Sequence, residues 1–271
     1  MSASISIRKA LIGMTLVALL SGSSGFFLAE YLDAQEDDLK ERRIRNAVSF
    51  LTRVQFNPEL NLTREGTGDS LTRNYWLLSD NLIASKALWP YNATVSSRIQ
   101  KALTSLGYLT NGLHEALFGL SIPVPPSTSI MMIVRNMTSY QIKVELHNST
   151  NLFTDYPKYG DLLIYVALSS QWQGARTHAV ANFTKAVSMW DGKGIKDQAF
   201  NGEYQTYKLA LVLYASKTLN ILLQYEREMR DQMWAMQRAD GGLWTGYDSS
   251  LSPVSVDANT ETTALAILAG S

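Results

Sequence analysis

Apolar positions recur at helical spacing over most of this chain and predict a protein built chiefly from helices. From Glu30 to Phe56 the series Leu32, Leu39, Ile44, Ala47, Val48, Leu51 and Val54 predicts one long helix. Asn57-Pro58 ends it, because proline restricts the residue before it and cannot continue the hydrogen-bond ladder. The same pattern predicts helices over 71–88, 95–106, 111–118, 161–172, 175–190, 203–223, 226–237 and 259–269. Ile122-Pro-Val-Pro-Pro126 interrupts them. After it, Ile130–Val134 and Ile142–Leu146 read as two short strands, which places a β-hairpin insertion at about 122–148.

The helical stretches are of two kinds. Some carry one apolar face, while 204–215 and 261–268 are apolar nearly all round and predict helices covered on most sides. The two kinds alternate in a repeat. Phe183 to Trp190, the turn Asp191-Gly-Lys-Gly194, a loop and Tyr204–Ala215 form one unit; Met233 to Ala239, the turn Asp240-Gly-Gly242, a loop and Glu261–Leu268 form another. Phe50–Asn57 with Tyr75–Ala84 gives a fainter third.

Within the last unit, Gln237-x-x-Asp240-Gly-Gly-x-Trp244 and Asn259-Thr-Glu261-Thr-Thr-Ala-Leu-Ala-Ile-Leu-Ala269 resemble the α/α-toroid proteins. These include the terpenoid-cyclase superfamily, macroglobulin thioester domains and six-hairpin glycosidases. The likeness covers the C-terminal third, and Leu243 stands where the cyclase repeat has tryptophan. It implies a mainly α fold: an α/α toroid, open or reduced, of helical hairpins carrying the β insertion. Such families share architecture and not chemistry.

The N-terminus bears on location. Arg8-Lys9 precede an uncharged run from Ala10 to Ala29, long enough at ~1.5 Å per residue to cross a bilayer core. Residues 1–29 therefore read as a signal-anchor membrane helix, or as a cleaved signal peptide with Ser23 and Gly25 near the cut. Residues 30–271 then form an extracytoplasmic body on the side away from the basic flank. Five N-x-[ST] sequons, at Asn61, Asn92, Asn136, Asn148 and Asn182, fit a glycosylated exterior protein; ordinary polar loop and helix-start sequence explains them equally.

Composition removes several chemistries. Lys and Arg number 24 against 24 Asp and Glu, so no basic footprint for nucleic acid exists. There is no cysteine, which excludes disulfides, thiolate zinc sites, cysteine nucleophiles and thioesters. No P-loop, G-x-G-x-x-G, G-x-S-x-G or HExxH occurs, so no cofactor and no metal is expected. Asp37-Asp38-Leu-Lys-Glu41 superficially matches a magnesium-diphosphate motif, but beside Lys40, Arg42 and Arg43 it reads as a solvated face.

What remains is carboxylate chemistry. Asp80, Asp161 and Glu261 interrupt the otherwise apolar helices, where a charge is costly unless paired or used. They are the candidate catalytic set for acid–base glycoside cleavage. Each also has a structural reading: a satisfied buried acid for Asp80, a helix N-cap for Asp161, and a first-turn acid behind an Asn259 cap for Glu261. Asn81 is placed to orient Asp80, and Lys208 to serve as a counter-ion. Trp76, Tyr165, Trp190, Tyr204 and Trp244 would stack on sugar rings or else pack hairpins together. Asp191 and Asp240 read as turn formers, and His114-Glu115 as a weaker acid/base pair. The expectation is a membrane-anchored glycan-binding protein, glycosidase-like if an enzyme; the alternative is a non-catalytic cell-envelope scaffold that binds other envelope proteins.

Overall fold

The computed structural model describes residues 36–67, 74–108, 113–200, 203–254 and 257–271, with the side chains of 148 and 149 excepted. The chain divides into two units, Met1–Arg42 and Arg43–Ser271. Of the first, only residues 36–42 are described, and they are helical. The apolar run Ala10–Ala29 lies outside the described residues. Among the described residues no helix is long and apolar enough to cross a membrane.

The second unit opens with helical residues 43–49 and a π-helical turn, Phe50–Gln55, ending before Pro58. Short strands β1 (Phe56–Asn57) and β2 (Leu62–Thr63) pair antiparallel. Strand β3 (Tyr75–Leu77) runs into helix α1 (Leu78–Leu88), and α2 (Ala93–Ser105) folds back on it. A 3₁₀ helix, His114–Phe118, precedes the long strands β4 (Ser127–Asn136) and β5 (Gln141–Leu152). There follow α3 (Gly160–Trp172), α4 (Arg176–Val187), β6 (Tyr204–Gln205), α5 (Thr206–Leu219), α6 (Glu226–Ala235), β7 (Gly246–Tyr247) and α7 (Thr260–Gly270).

Helices α1, α3, α5 and α7 are apolar on nearly every side, and almost all their residues are buried. Helix α7 packs between α1 and α5, α3 lies against α5, and the 3₁₀ helix touches both α3 and α1. Helices α2, α4 and α6 each bury one face, through Ile99 and Leu103, Ala179 and Phe183, and Met229 and Met233 respectively. The tail is tied to the start of the unit. Gln237 Nε2 donates to the Arg43 carbonyl at 2.8 Å, and Gly241, at φ +95°, lies so close to Asn46 that any Cβ would overlap its carbonyl.

The expected α/α toroid with a hairpin insertion is not what forms, and no membrane helix is shown among the described residues. About half of the described residues are helical, in eight α-helices and shorter turns, and several small sheets accompany them. The β ribbon is no detachable insertion. Its strand β5 pairs parallel with β3, Tyr75–Leu77 against Gln141–Lys143, and packs on α1. The four buried helices therefore do not make a ring of equivalent hairpins; the 3₁₀ helix spans from α3 to α1, and the sheet covers α1. The helix predicted over 71–88 is present only from Leu78: cross-strand pairing to Ile142 claims Trp76 and holds 75–77 as a strand, while 71–73 lie outside the described residues.

Candidate active site

The four buried helices begin alike. Leu77, Tyr159, Gln205 and Asn259, the residues before them, are extended, so each chain enters its helix from a strand-like segment and the first turn carries polar side chains. Those turns supply Asp80, Asp161, Tyr207 and Glu261. Asn259 caps the last of them, its Oδ1 accepting from Thr262 N at 2.9 Å.

Asp80 is 2% exposed. The carboxyl facing it is Glu65, which sequence reading missed because it sits in the polar loop 63–67. The loop is clamped on both sides: Glu65 N donates to the Tyr75 carbonyl at 3.1 Å, and Thr260 N donates to the Glu65 carbonyl at 2.9 Å. Gly66 leaves no room for a side chain beside Asp257. Glu65 Oε2 and Asp80 Oδ2 are both buried without a donor. Two carboxyls within hydrogen-bonding reach need one proton between them. Burial pushes both above the usual carboxylate range, Asp80 by far the more; the neighbouring Glu65, Glu261 and Glu145 add to the rise at Asp80, which is the member that donates.

Around this pair the acids are individually held. Ser79 Oγ donates to Glu145 Oε2 at 3.1 Å. His114 Nε2 lies 3.4 Å from Glu261 Oε1. Burial alone would lower the His114 pKa, but its hydrogen bond to Glu261 and the nearby carboxylates outweigh that and raise it. Tyr207 Oη donates to Asp161 Oδ2 at 2.5 Å, and Asp161 Oδ1 accepts from Leu162 N. Tyr165 packs its ring 5.8 Å from that of His114, and its buried hydroxyl has no partner. Burial, then Glu261 and Asp161, push that hydroxyl well above its ordinary pKa. Three orphaned polar atoms thus occur in one electrostatically coupled cluster, where native interiors rarely leave any.

Asp80, Asp161 and Glu261 therefore meet in one cluster with Tyr165, and the weaker candidates His114 and Glu115 lie beside them. Other expected members do not join. Asn81 does not orient Asp80: its amide binds the Thr63 and Leu77 carbonyls, and its Oδ1 accepts from Thr63. Lys208 pairs with Asp197, at 2.5 Å with both side chains buried, and Asp197 also accepts from Gly160 N at 2.8 Å. The aromatic residues are mostly committed to packing. Trp76 meets Tyr140 edge-on, Tyr204 stacks on Tyr247, Trp244 lies under Arg238, and Trp190 packs against the hydrophobic core.

Among the sequons, Asn92 caps α2, Asn61 accepts from Arg98, Asn136 is exposed in β4 and accepts from Gln141, and the Asn182 amide donates to the His178 carbonyl. Asn148 has no described side chain. Asp191 and Asp240 are turn formers, accepting from Gly194 N and Gly242 N. Among the described residues no three His, Asp or Glu side chains converge to hold a metal ion. A separate groove lined by Glu59, Asn61, Arg98, Lys101 and Arg135 shares no residue with the acid cluster. Comparison with family models, curated proteins and solved structures gives no match, so the chemistry of the site rests on its own geometry.

Proposed function

We propose that this chain is an acid–base hydrolase acting on the glycosidic bond of an uncharged glycan. The observation that carries the reading is the buried Glu65–Asp80 carboxyl pair, whose pKa values burial raises, beside Glu261 and its partner His114. Acetal cleavage needs a proton for the departing oxygen and a carboxylate to activate water. Asp80 is the donor: its proton passes to the leaving oxygen as the C–O bond breaks. Glu261, oriented by His114, takes the proton of the attacking water. The carboxyls gathered in this cluster repel phosphate esters and acidic sugars, which favours a neutral substrate.

One observation favours the competing scaffold reading: Trp76, Trp190, Tyr204 and Trp244 are occupied in packing, and Tyr165 beside the acids is itself buried in the core. Incubation with a panel of neutral oligosaccharides separates the two. Reducing ends released by the wild type, and lost by about 10²–10⁴-fold in Asp80→Asn and Glu261→Gln with the fold intact, support hydrolysis. A wild type that neither binds nor cuts any neutral glycan removes the proposal and leaves the scaffold.

A further inference from the structure

The three-stranded sheet runs β3-β5-β4, and no described strand pairs with the outer edge of β4. That strand reads Ser127-Thr-Ser-Ile-Met-Met-Ile-Val-Arg-Asn136 and carries one charge. Ile130, Met131, Met132 and Ile133 are each about half exposed (49–51%). Alternation puts Ile130 and Met132 on one face and Met131 and Ile133 on the other, so both faces present hydrocarbon. Irregularities at 127–129 and 133–135 frame a regular stretch between them. Natural edges are blunted with lysine, proline, bulges or short length, and the regular stretch 129–133 between the two irregularities has none of these.

We propose that this edge is covered by the same edge of a second copy, β4 against β4 about a two-fold axis, giving a six-stranded sheet. The exposed side chains of β4, with Met137 beyond it, offer on the order of 500 Å² per copy. Pairing covers the flanks of these side chains and not their outer faces, so a pair buries less than about 1,000 Å², the range of weak, reversible interfaces, and the main-chain bonds of the new ladder carry the rest. An isologous contact closes on itself and leaves no unpaired β4 edge. In a register centred on Met131, Arg135 faces Ser127 of the partner subunit, so like charges do not meet. A lipid surface fits less well. Met131 and Ile133 stand directly opposite Glu145 and Lys143 on β5, and insertion of the ribbon would carry those charges into hydrocarbon.

The absence of cysteine makes the test clean. In the full-length chain, Met131→Cys forms a disulfide-linked dimer on mild oxidation, whereas Leu222→Cys, at a residue 95% exposed, does not. Sedimentation velocity shows a wild-type dimer, and Ile130→Lys with Ile133→Lys raises its Kd at least roughly 100-fold while circular dichroism stays unchanged. Should the lysine variant misfold, the cysteine pair still decides. A wild type that stays monomeric, equal cross-linking at 222, a dimer indifferent to the lysines, or a monomer that binds neutral phosphatidylcholine vesicles each overturns the proposal.

Discussion

Asp197→Ala tests whether the first turns of the buried helices are held in place by a charge pair. In the native chain Lys208 Nζ and Asp197 Oδ2 are 2.5 Å apart, with side-chain exposures of 1% and 2%. The alanine variant leaves an ammonium buried with only the rings of Phe200 and Tyr207 nearby, at 5.2 and 5.9 Å. Breaking a buried pair from one side costs about 3–5 kcal/mol, and ring contacts recover at most ~2. Gly160 N also loses its acceptor, which works against the start of α3 by about 1 kcal/mol. At ~2–4 °C per kcal/mol for a chain this size, the melting temperature drops by roughly 10 °C. Lys208→Met is milder, about 1–3 kcal/mol, because Asp197 keeps the Gly160 and Ala199 amides. Urea denaturation followed by far-UV circular dichroism measures each change. The pair Asp197→Leu with Lys208→Met recovers at least ~2 kcal/mol against the sum of the single losses. An Asp197→Ala cost below about 1 kcal/mol, or single losses that simply add, would refute the buried pair.

Three further outcomes follow from the same geometry. Asp80 holds its proton more tightly folded than unfolded, so stability falls as pH climbs from its ordinary 3.8 through the raised native pKa; Asp80→Asn removes that slope and becomes the more stable chain toward neutral pH while losing turnover, measured by urea midpoints across pH. The stabilisation from His114 has its own window: it is full below 6.5 and lost as pH rises through the raised native pKa, and Glu261→Gln moves that titration downward in a proton NMR series, an unchanged curve counting against the pair. Gly241→Ala combines a positive φ with overlap on the Asn46 carbonyl and costs at least about 3 kcal/mol by chemical denaturation; a neutral result would mean the tail does not dock there.

Much of this helical layout is legible from the side chains alone. Helices at 93–105, 160–172, 226–235 and 260–270 begin and end within a few residues of where apolar spacing and caps place them. Asn259 reads as a cap because Asn before an apolar run has one obvious use. The global arrangement is not legible in the same way. Repeated hairpins imply equivalence, yet cross-strand pairing between Trp76 and Ile142 decides how the first helix starts, and such pairings leave no local mark. The site divides likewise. Asp80, Asp161 and Glu261 stand out because an acid in an apolar helix is conspicuous, whereas Glu65 is one more polar residue in a polar loop. Only the bonds that fix its backbone to Tyr75 and Thr260 bring it to Asp80. Lys208 misleads for the opposite reason: its buried position is right, but Asp197, on an unremarkable loop, reaches it first.

Two aspartates in this chain show how differently the fold treats the same carboxyl. Burial alone would raise the pKa of Asp191, but it accepts from Tyr204 Oη at 2.6 Å and from the amides of Lys193 and Gly194, and those donors outweigh burial and hold it below its usual value. A carboxylate so supplied is finished; it terminates a turn and has no capacity left for a substrate. Asp80 has the same side chain in the first turn of a helix, where the free amides and the dipole would favour its anion by about 0.3–1 kcal/mol. Its native pKa nevertheless rises, so burial and the neighbouring carboxylates exceed that contribution. Nothing in the fold requires an acid there, since asparagine would fill the space without the repulsion. The proton that Asp80 shares with Glu65 is the one the proposed hydrolysis would draw on, and Asp80→Asn exchanges it for stability.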